Sequence, residues 1–405
     1  MSDITDLATQ CIRCGFCLES CPTFKLTGQE TESPRGRIYL IRGAEEGLLD
    51  WKADVKPHTD LCLGCRACET ACPSGVQYGQ LLEQARVKME EQAPSPGKRA
   101  FLGAMTNPAV FRTQLLAGKV IPQPLQNAVL RIAFGKRAKA PTSNPISPHG
   151  AWGALQESDL PAVKGEVYLL EGCVMRVMYP RVHEATRRLL RRIGYTVKPI
   201  DLGCCGALHA HAGFASDAKD RASHLAQLVQ SDDAKIIVNS AGCGSTMKEY
   251  NHLDETLAPV ASRVQDISEF LLTEGLVPLL QNSSGFDQVS ATYHDACHLC
   301  HGQQIKDPPR VLLQAIPGLS LSALPESDLC CGSAGTYSIQ QPEMATELVN
   351  RKWGNIKSTG AHILVMGNPG CHSWIEGNKP AGSGVKILHL AEILESAFSG
   401  LPDSR

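Results

Sequence analysis

No stretch of this sequence carries the roughly 18 consecutive apolar residues that a bilayer-spanning helix needs. No basic start followed by an apolar run opens the chain, so no secretory leader is predicted. Charge of neither sign dominates. The 39 Lys and Arg stand against 41 Asp and Glu, a net charge of −2, which argues against bulk nucleic-acid binding. No G-x-G-x-x-G loop follows a strand-like run and no P-loop occurs, so there is no sequence case for a flavin or nicotinamide held by this chain. Together these absences predict a cytoplasmic protein, soluble or at most peripheral on the cytoplasmic membrane face, with no nucleic-acid partner.

One absence is local. No Asp or Glu occurs from Gln92 to Gln156, where Lys98, Arg99, Arg112, Lys119, Arg131, Lys136, Arg137 and Lys139 all do. Phe101, Leu102, Phe111, Leu115, Leu116, Val129, Leu130, Ile132 and Phe134 are interleaved with them, and proline is frequent. A basic amphipathic stretch suits an anionic membrane surface or a docking partner. The competing reading is a linker packed over the body of the protein.

Cysteine is in excess, with seventeen in the chain. Without a leader, such cysteines point to metal or redox work rather than disulfides. Eight form two matching runs: Cys11, Cys14, Cys17, Cys21 before Pro22, and Cys62, Cys65, Cys68, Cys72 before Pro73. Each reads C-x2-C-x2-C-x3-C-P, the bacterial ferredoxin spacing for a [4Fe–4S] cluster. A cubane has four iron corners, each needing one soft thiolate. Three cysteines of a run wrap three corners, and in two-cluster ferredoxins the fourth serves the other cluster. One cluster is thus assigned to Cys11, Cys14, Cys17 and Cys72, and the second to Cys62, Cys65, Cys68 and Cys21. Zinc knuckles, the competing reading, usually take two separated pairs of ligands. Gly15 and Gly64 let backbone N–H groups approach a negatively charged cluster.

Between and after the runs, helical stripes are predicted within Pro34 to Leu49, with Pro34 suiting the helix start and Gly47 its end, and from about Tyr78 to Glu91. Arg35 and Arg37 lie in the first, where they offset cluster charge, meet a partner or line a solvated face.

The last part of the chain is duplicated. Cys173, Cys204-Cys205-Gly206 and Cys243 are matched in order by Cys297, Cys330-Cys331-Gly332 and Cys371. Ile236-Ile237-Val238 precedes Cys243 as Ile363-Leu364-Val365 precedes Cys371, and the run from Val264 to Leu271 echoes that from Ile387 to Leu394. Features repeated in one order indicate a duplication. Strand-like and helix-like runs alternate in each copy, predicting a small parallel-sheet α/β unit, twice. Cys243 and Cys371 then fall at the carboxyl end of a strand, where ligands gather in parallel sheets. The predicted fold class is α+β and multidomain. A helical di-cluster ferredoxin domain (1–92) and a basic proline-rich linker (93–160) lead to two duplicated small α/β cysteine-rich domains (161–275 and 286–405).

The duplicated order Cys…Cys-Cys-Gly…Cys resembles the cysteine-rich domain of heterodisulfide reductase and its relatives. The whole layout, with Glu32-Ser-Pro-Arg-Gly-Arg37 inside the double-cluster module, resembles the iron–sulfur subunit of glycolate oxidase. Similar plans occur in the iron–sulfur subunit of anaerobic glycerol-3-phosphate dehydrogenase and in lactate-utilisation proteins. One departure stands out. Heterodisulfide reductase ends the domain in C-x-x-C, whereas here Cys243 is followed by Gly244-Ser245-Thr246 and Cys371 by His372-Ser373-Trp374. The eight repeat cysteines, Cys173, Cys204, Cys205, Cys243, Cys297, Cys330, Cys331 and Cys371, are left with three readings: a further iron–sulfur cluster, zinc, or a redox thiol site. Cys300 is an extra cysteine in the second copy. His209, His211, His294, His298, His301 and His389 stand near the motifs and are candidates for tuning a cluster or serving proton transfer.

The resemblance implies an electron-transfer subunit with two [4Fe–4S] clusters and no catalytic residue of its own. A partner FAD subunit would oxidise glycolate to glyoxylate and pass electrons through this chain toward quinone or another acceptor. Alternatives are the equivalent subunit of a lactate or glycerol-3-phosphate dehydrogenase, a thiol–disulfide reductase working through the repeat cysteines, or a zinc-stabilised scaffold.

Overall fold

The computed structural model describes residues 3–141 and 152–401. Its amino-terminal part is helical. Pro34–Glu45 forms the first of the two expected helices: Ser33 accepts from the Gly36 N–H at its start, and Gly47, at φ +75°, lies just beyond its end. Gly47 is the expected helix end, and beyond it the chain turns back, Leu48 and Leu49 both donating to the Gly43 carbonyl. The second helix runs Tyr78–Gln92 and buries Tyr78, Leu81, Leu82, Ala85 and Met89. These pack with Ile4, Leu7, Ile41, Trp51 and Val55 into one core beneath the cysteine loops.

The basic, proline-rich stretch folds into three helices, Pro96–Met105, Pro108–Gly118 and Gln123–Phe134, each with proline in its first turn. Few of their apolar residues are buried. Leu102 packs with Ala212 and Phe214, and Phe111 and Leu115 join the core of the repeats. Val120 and Ile132 are each 83% exposed.

Each repeat forms a four-stranded parallel sheet. Strands β1 (Gly165–Leu170), β2 (Tyr195–Val197), β3 (Ile236–Val238) and β4 (Val264–Asp266) lie in the order β2-β1-β3-β4. Strands β5 (Val289–Tyr293), β6 (Leu319–Ser322), β7 (Ile363–Met366) and β8 (Lys386–His389) repeat it as β6-β5-β7-β8. Parallel strands need helical crossovers, which cover both faces, and β3 and β7 are accordingly buried along their whole length. The echoed segments after β4 and β8 are matched helix starts. Asp266 and Glu269 cap Ile267–Thr273 reciprocally, as His389 and Glu392 cap Leu390–Ser399.

The two copies share one core, which holds Val167 and Leu189 of the first and Val365 and Leu394 of the second. Their contacts are reciprocal. The helix after β1 (Pro180–Arg192) packs on the last helix of the second copy, Leu390–Ser399. The helix Asp307–Gln314, after β5, packs on Ile267–Thr273. This exchange is a pseudo-twofold pairing. It brings the ends of β3 and β7 together: Ala241 N–H donates to the Gly367 carbonyl at 3.0 Å, and His389 Nε2 meets the Asn239 carbonyl at 2.8 Å.

Candidate metal centres

The amino-terminal cysteines line two small cavities. Cys11, Cys14, Cys17 and Cys72 line one, with Arg35, Pro73 and Tyr78. Cys21, Cys62 and Cys65 line the other, with Arg37, Leu63 and Tyr78, while Cys68 lines both. All seventeen cysteines are free thiols. The two loops share an unusual backbone. Arg13 and Gly15 in the first, and Gly64 and Arg66 in the second, all have φ between +58° and +88°. Left-handed residues at matched positions are a mark of the backbone nests whose N–H groups bind anions. Arg13 and Arg66 carry no glycine signal, so sequence alone did not single them out.

Arg37 is not on a solvated face. It is 1% exposed and donates to the His58 carbonyl (2.7 Å), Thr23 Oγ1 (3.0 Å) and Glu32 Oε2 (2.7 Å). Burial works against its charge, but Cys62, Tyr78, Cys21 and Glu32 outweigh it and raise the pKa. Arg35 instead forks onto Glu30 and reaches the Arg13 carbonyl at 3.4 Å. Burial pushes the Cys17, Cys65 and Cys68 thiols up, and neighbouring thiols push them further.

In each repeat the cysteines come from three loops at the carboxyl end of the sheet. Gly206 (φ +83°) and Gly332 (φ +92°) turn the chain sharply after each cysteine pair. A Cβ on Gly332 would sit 2.7 Å from the Ala345 carbonyl oxygen, so glycine is required there. Cys243 and Cys371 lie in the first turns of the helices Ala241–Lys248 and Pro369–Gly377. In the first copy the Cys173 and Cys204 sulfurs are 3.7 Å apart. Hydrogen bonding with Cys173, then Cys205, pushes Cys204 down to about 3, while Cys173 and Cys205 are pushed up. Hydrogen bonding from Cys205 also lowers Cys243, so raised and lowered thiols alternate along the chain Cys173, Cys204, Cys205, Cys243. The second copy repeats the chain of contacts from Cys297 through Cys330 and Cys331 to Cys371.

All eight repeat cysteines line a single cavity of about 230 Å³, which also meets Cys62, Arg66, Arg86, His211 and His298. Cys300 does not line it; its thiol points to the Asp295 and Cys297 carbonyls. The ferredoxin module closes the cavity on one side. Cys65 packs with Cys297 and Cys330 in a buried group that includes Leu63, Tyr337 and Leu348. Tyr337 Oη donates to the Leu61 carbonyl at 3.0 Å, and Thr70 meets His301 Nδ1 at 3.0 Å.

The histidines divide. His211 and His298 stack at 5.0 Å beside the cavity, and His211 Nδ1 meets Glu83 at 2.7 Å. His389 is the helix cap and inter-copy bond described above. His209 and His294 are buried.

An amino-terminal pair of four-thiol loops, joined to paired cysteine-rich α/β units, defines an iron–sulfur electron-transport protein of the oxidoreductase class. Residues 7–76 match the 4Fe-4S dicluster domain, and residues 167–248 and 291–376 each match the cysteine-rich domain. The chain is 35% identical to the "Probable glycolate oxidase iron-sulfur subunit" of Bacillus subtilis, over 96% of this chain and 93% of that protein. It is 32% identical to the "Glycolate oxidase iron-sulfur subunit" of Escherichia coli over the same shares. "Lactate utilization protein A" of Oceanobacillus iheyensis matches at 30% identity over 58% of this chain and 98% of its own length. A solved structure, "Crystal structure of a hypothetical protein from Helicobacter pylori", shares the fold at a TM-score of 0.55 and 10% identity, over 93% of this chain and 70% of that one. The chain belongs to the glycolate oxidase iron–sulfur subunit family. No helix among the described residues is long and apolar enough to cross a membrane.

Proposed function

We propose that this chain is the iron–sulfur electron-transfer subunit of a glycolate dehydrogenase complex, in which a separate FAD subunit oxidises glycolate to glyoxylate. Cys11, Cys14, Cys17 and Cys72 hold one [4Fe–4S] cluster, and Cys21, Cys62, Cys65 and Cys68 hold the second. The donor chemistry fits: each set offers four thiols lining one cavity, on loops with matched left-handed residues. When bound, the clusters supply one-electron acceptance and release. The residues of this chain do the rest. The Cys11–Cys17 loop, with Cys14, Ile12 and Phe16 exposed, is the edge offered to the FAD subunit. Arg37 lines the second cavity and ties His58, just before the second loop, to Thr23 and Glu32 after the first. The repeat thiols hold a further cluster or metal and face the acceptor, quinone or another.

The observation that carries this reading is the packing of Cys65 against Cys297 and Cys330, which sets the ferredoxin module directly on the repeat thiols. Peripheral membrane contact is supported by the helices Pro108–Gly118 and Gln123–Phe134. They expose Val110, Leu116, Leu125, Val129 and Ile132 among Arg112, Lys119 and Arg131, with no acidic residue.

The test is anaerobic purification with co-expressed candidate flavoproteins. An FAD subunit should co-purify, and glycolate should then bleach the flavin and reduce a terminal dye. Cys14→Ser should leave flavin bleaching intact and stop dye reduction at the far end; unimpaired dye reduction argues against the proposal. Lactate in place of glycolate tests the second reading, which the likeness to the lactate-utilisation protein favours. Heterodisulfide reduction by the isolated chain tests the thiol-reductase reading, which the eight cysteines around one cavity favour.

A further inference from the structure

The two repeats differ at the buried position three residues before their first cysteine. His294 stands three residues before Cys297, one residue past the end of β5; Leu170 stands three residues before Cys173, at the end of β1. His294 is fully buried, and its Nδ1 lies 3.0 Å from the Ser327 carbonyl. That carbonyl can only accept, so Nδ1 carries the proton and Nε2 carries a free lone pair. Nε2 is buried and has no hydrogen-bond partner. With Nδ1 engaged by Ser327, Nε2 is the nitrogen left for a metal. One ring nitrogen of His294 and the sulfurs of Cys331 and Cys371 all lie within 4.8 Å of one another, and all three residues are buried. Asn368 Nδ2 donates to the Cys371 sulfur at 3.5 Å, and the ammonium of Lys352, 1% exposed, is held close by on the Glu326 and Ser327 carbonyls.

We propose that His294, Cys331 and Cys371 bind one zinc ion in the second repeat only. The first repeat has no counterpart, because leucine replaces the imidazole. This rests on the reading that the repeat thiols bind metal, and says which copy, which metal and which nitrogen. A nitrogen and two sulfurs suit zinc, which takes imidazole and thiolate together in tetrahedral sites. A histidine ligand characteristically donates its other N–H to a carbonyl, as His294 does to Ser327. Cys331 and Cys371 line the shared cavity and His294 does not, so the fourth coordination position opens toward that cavity. Three protein ligands with one open position are the pattern of zinc sites that bind an exogenous ligand. The ligand class is a thiolate, alkoxide or water entering from the cavity.

The test measures zinc and iron on the full chain purified anaerobically, with zinc X-ray absorption on the same sample. The expected result is about one zinc per chain, with one nitrogen near about 2.0 Å and two sulfurs near about 2.3 Å. His294→Leu, which installs the residue of the first copy, should remove at least about nine-tenths of the zinc and leave iron at the wild-type level. His294→Cys should keep the zinc and replace its nitrogen shell with sulfur, which answers the case in which the leucine variant fails to fold. Zinc retained by His294→Leu, or a wild-type shell without nitrogen, overturns the role of His294. If Cys331→Ser and Cys371→Ser both leave the metal content unchanged, the broader reading of the repeat thiols falls as well. Metal lost from Cys371→Ser but kept by His294→Leu sinks only the present inference.

Discussion

Arg66 and Glu249 form a two-pronged ion pair, 2.7 Å at each prong, between the second cysteine loop and the first repeat. Arg66 follows Cys65 directly and also holds Glu69 at 2.8 Å. A single guanidinium therefore fixes the loop and docks the module. Charged hydrogen bonds of this kind contribute about 2 kcal/mol each when partly buried. Glu249→Ala should lower stability by about 2–3 kcal/mol in denaturant unfolding and raise proteolytic release of residues 1–92. Glu249→Gln, which keeps an acceptor, should cost less than half of that.

The proposed crossing of the ligand sets gives a spectroscopic prediction. Cys72→Ser should remove the same electron paramagnetic resonance signal as Cys11→Ser, and Cys21→Ser the same signal as Cys62→Ser. In each case the iron of the amino-terminal module should fall from about eight to about four per chain. Grouping of Cys72 with Cys62 would reverse the assignment.

Asp266 carries a pH dependence. Burial, with Glu269 adding to it, raises its pKa to about 6, against the Ser268 hydroxyl and N–H and the charge of Lys248. The unfolded carboxyl titrates near about 3.9. Between those values the folded state binds the extra proton, so this group's contribution is full below about pH 4 and is lost as pH rises through about 6. Asp266→Asn keeps an acceptor for the Ser268 N–H at the helix start. The variant should lose that slope and gain about 2 kcal/mol relative to wild type at pH 7. Denaturant melts of both proteins between pH 4 and 8 read the difference.

Two glycines of the second repeat should behave oppositely. Gly332→Ala forces a side chain into a left-handed turn and against the Ala345 carbonyl, and should cost about 1–3 kcal/mol with loss of metal from the repeat thiols. Gly354→Ala, on the open face of the helix Pro342–Ser358, should stabilise by about 0.5–1 kcal/mol. Thermal melts with metal analysis distinguish them.

Much of the site was legible because it is written locally. The cysteine runs, the Cys-Cys-Gly turns and the echo of 264–271 in 387–394 are short-range patterns. The structure gives each a local cause: a nest of left-handed residues, a glycine turn, a matched pair of helix caps. The helices at Pro34–Glu45 and Tyr78–Gln92 were equally plain, since their apolar stripes repeat with helical period. Arg37 was not. Whether an arginine on an amphipathic helix meets solvent or a buried carboxylate depends on what packs over it, and here Glu32, Thr23 and His58 do. The three helices of 96–134 were hidden by frequent prolines, which turn out to start helices rather than break them.

The order of residues along the chain determined the two matched cysteine runs, the number of copies of each unit and where the strongly patterned helices begin. It did so because thiolate spacing, left-handed turns and helix caps are settled within a few residues. Only the tertiary structure decided that both repeats empty into one chamber, that Cys65 leans on Cys297 and Cys330, and that His294 keeps a bare nitrogen beside two sulfurs. Those juxtapositions come from reciprocal helix packing across a pseudo-twofold. That packing is a sum of many weak apolar contacts between distant segments, which no local pattern encodes.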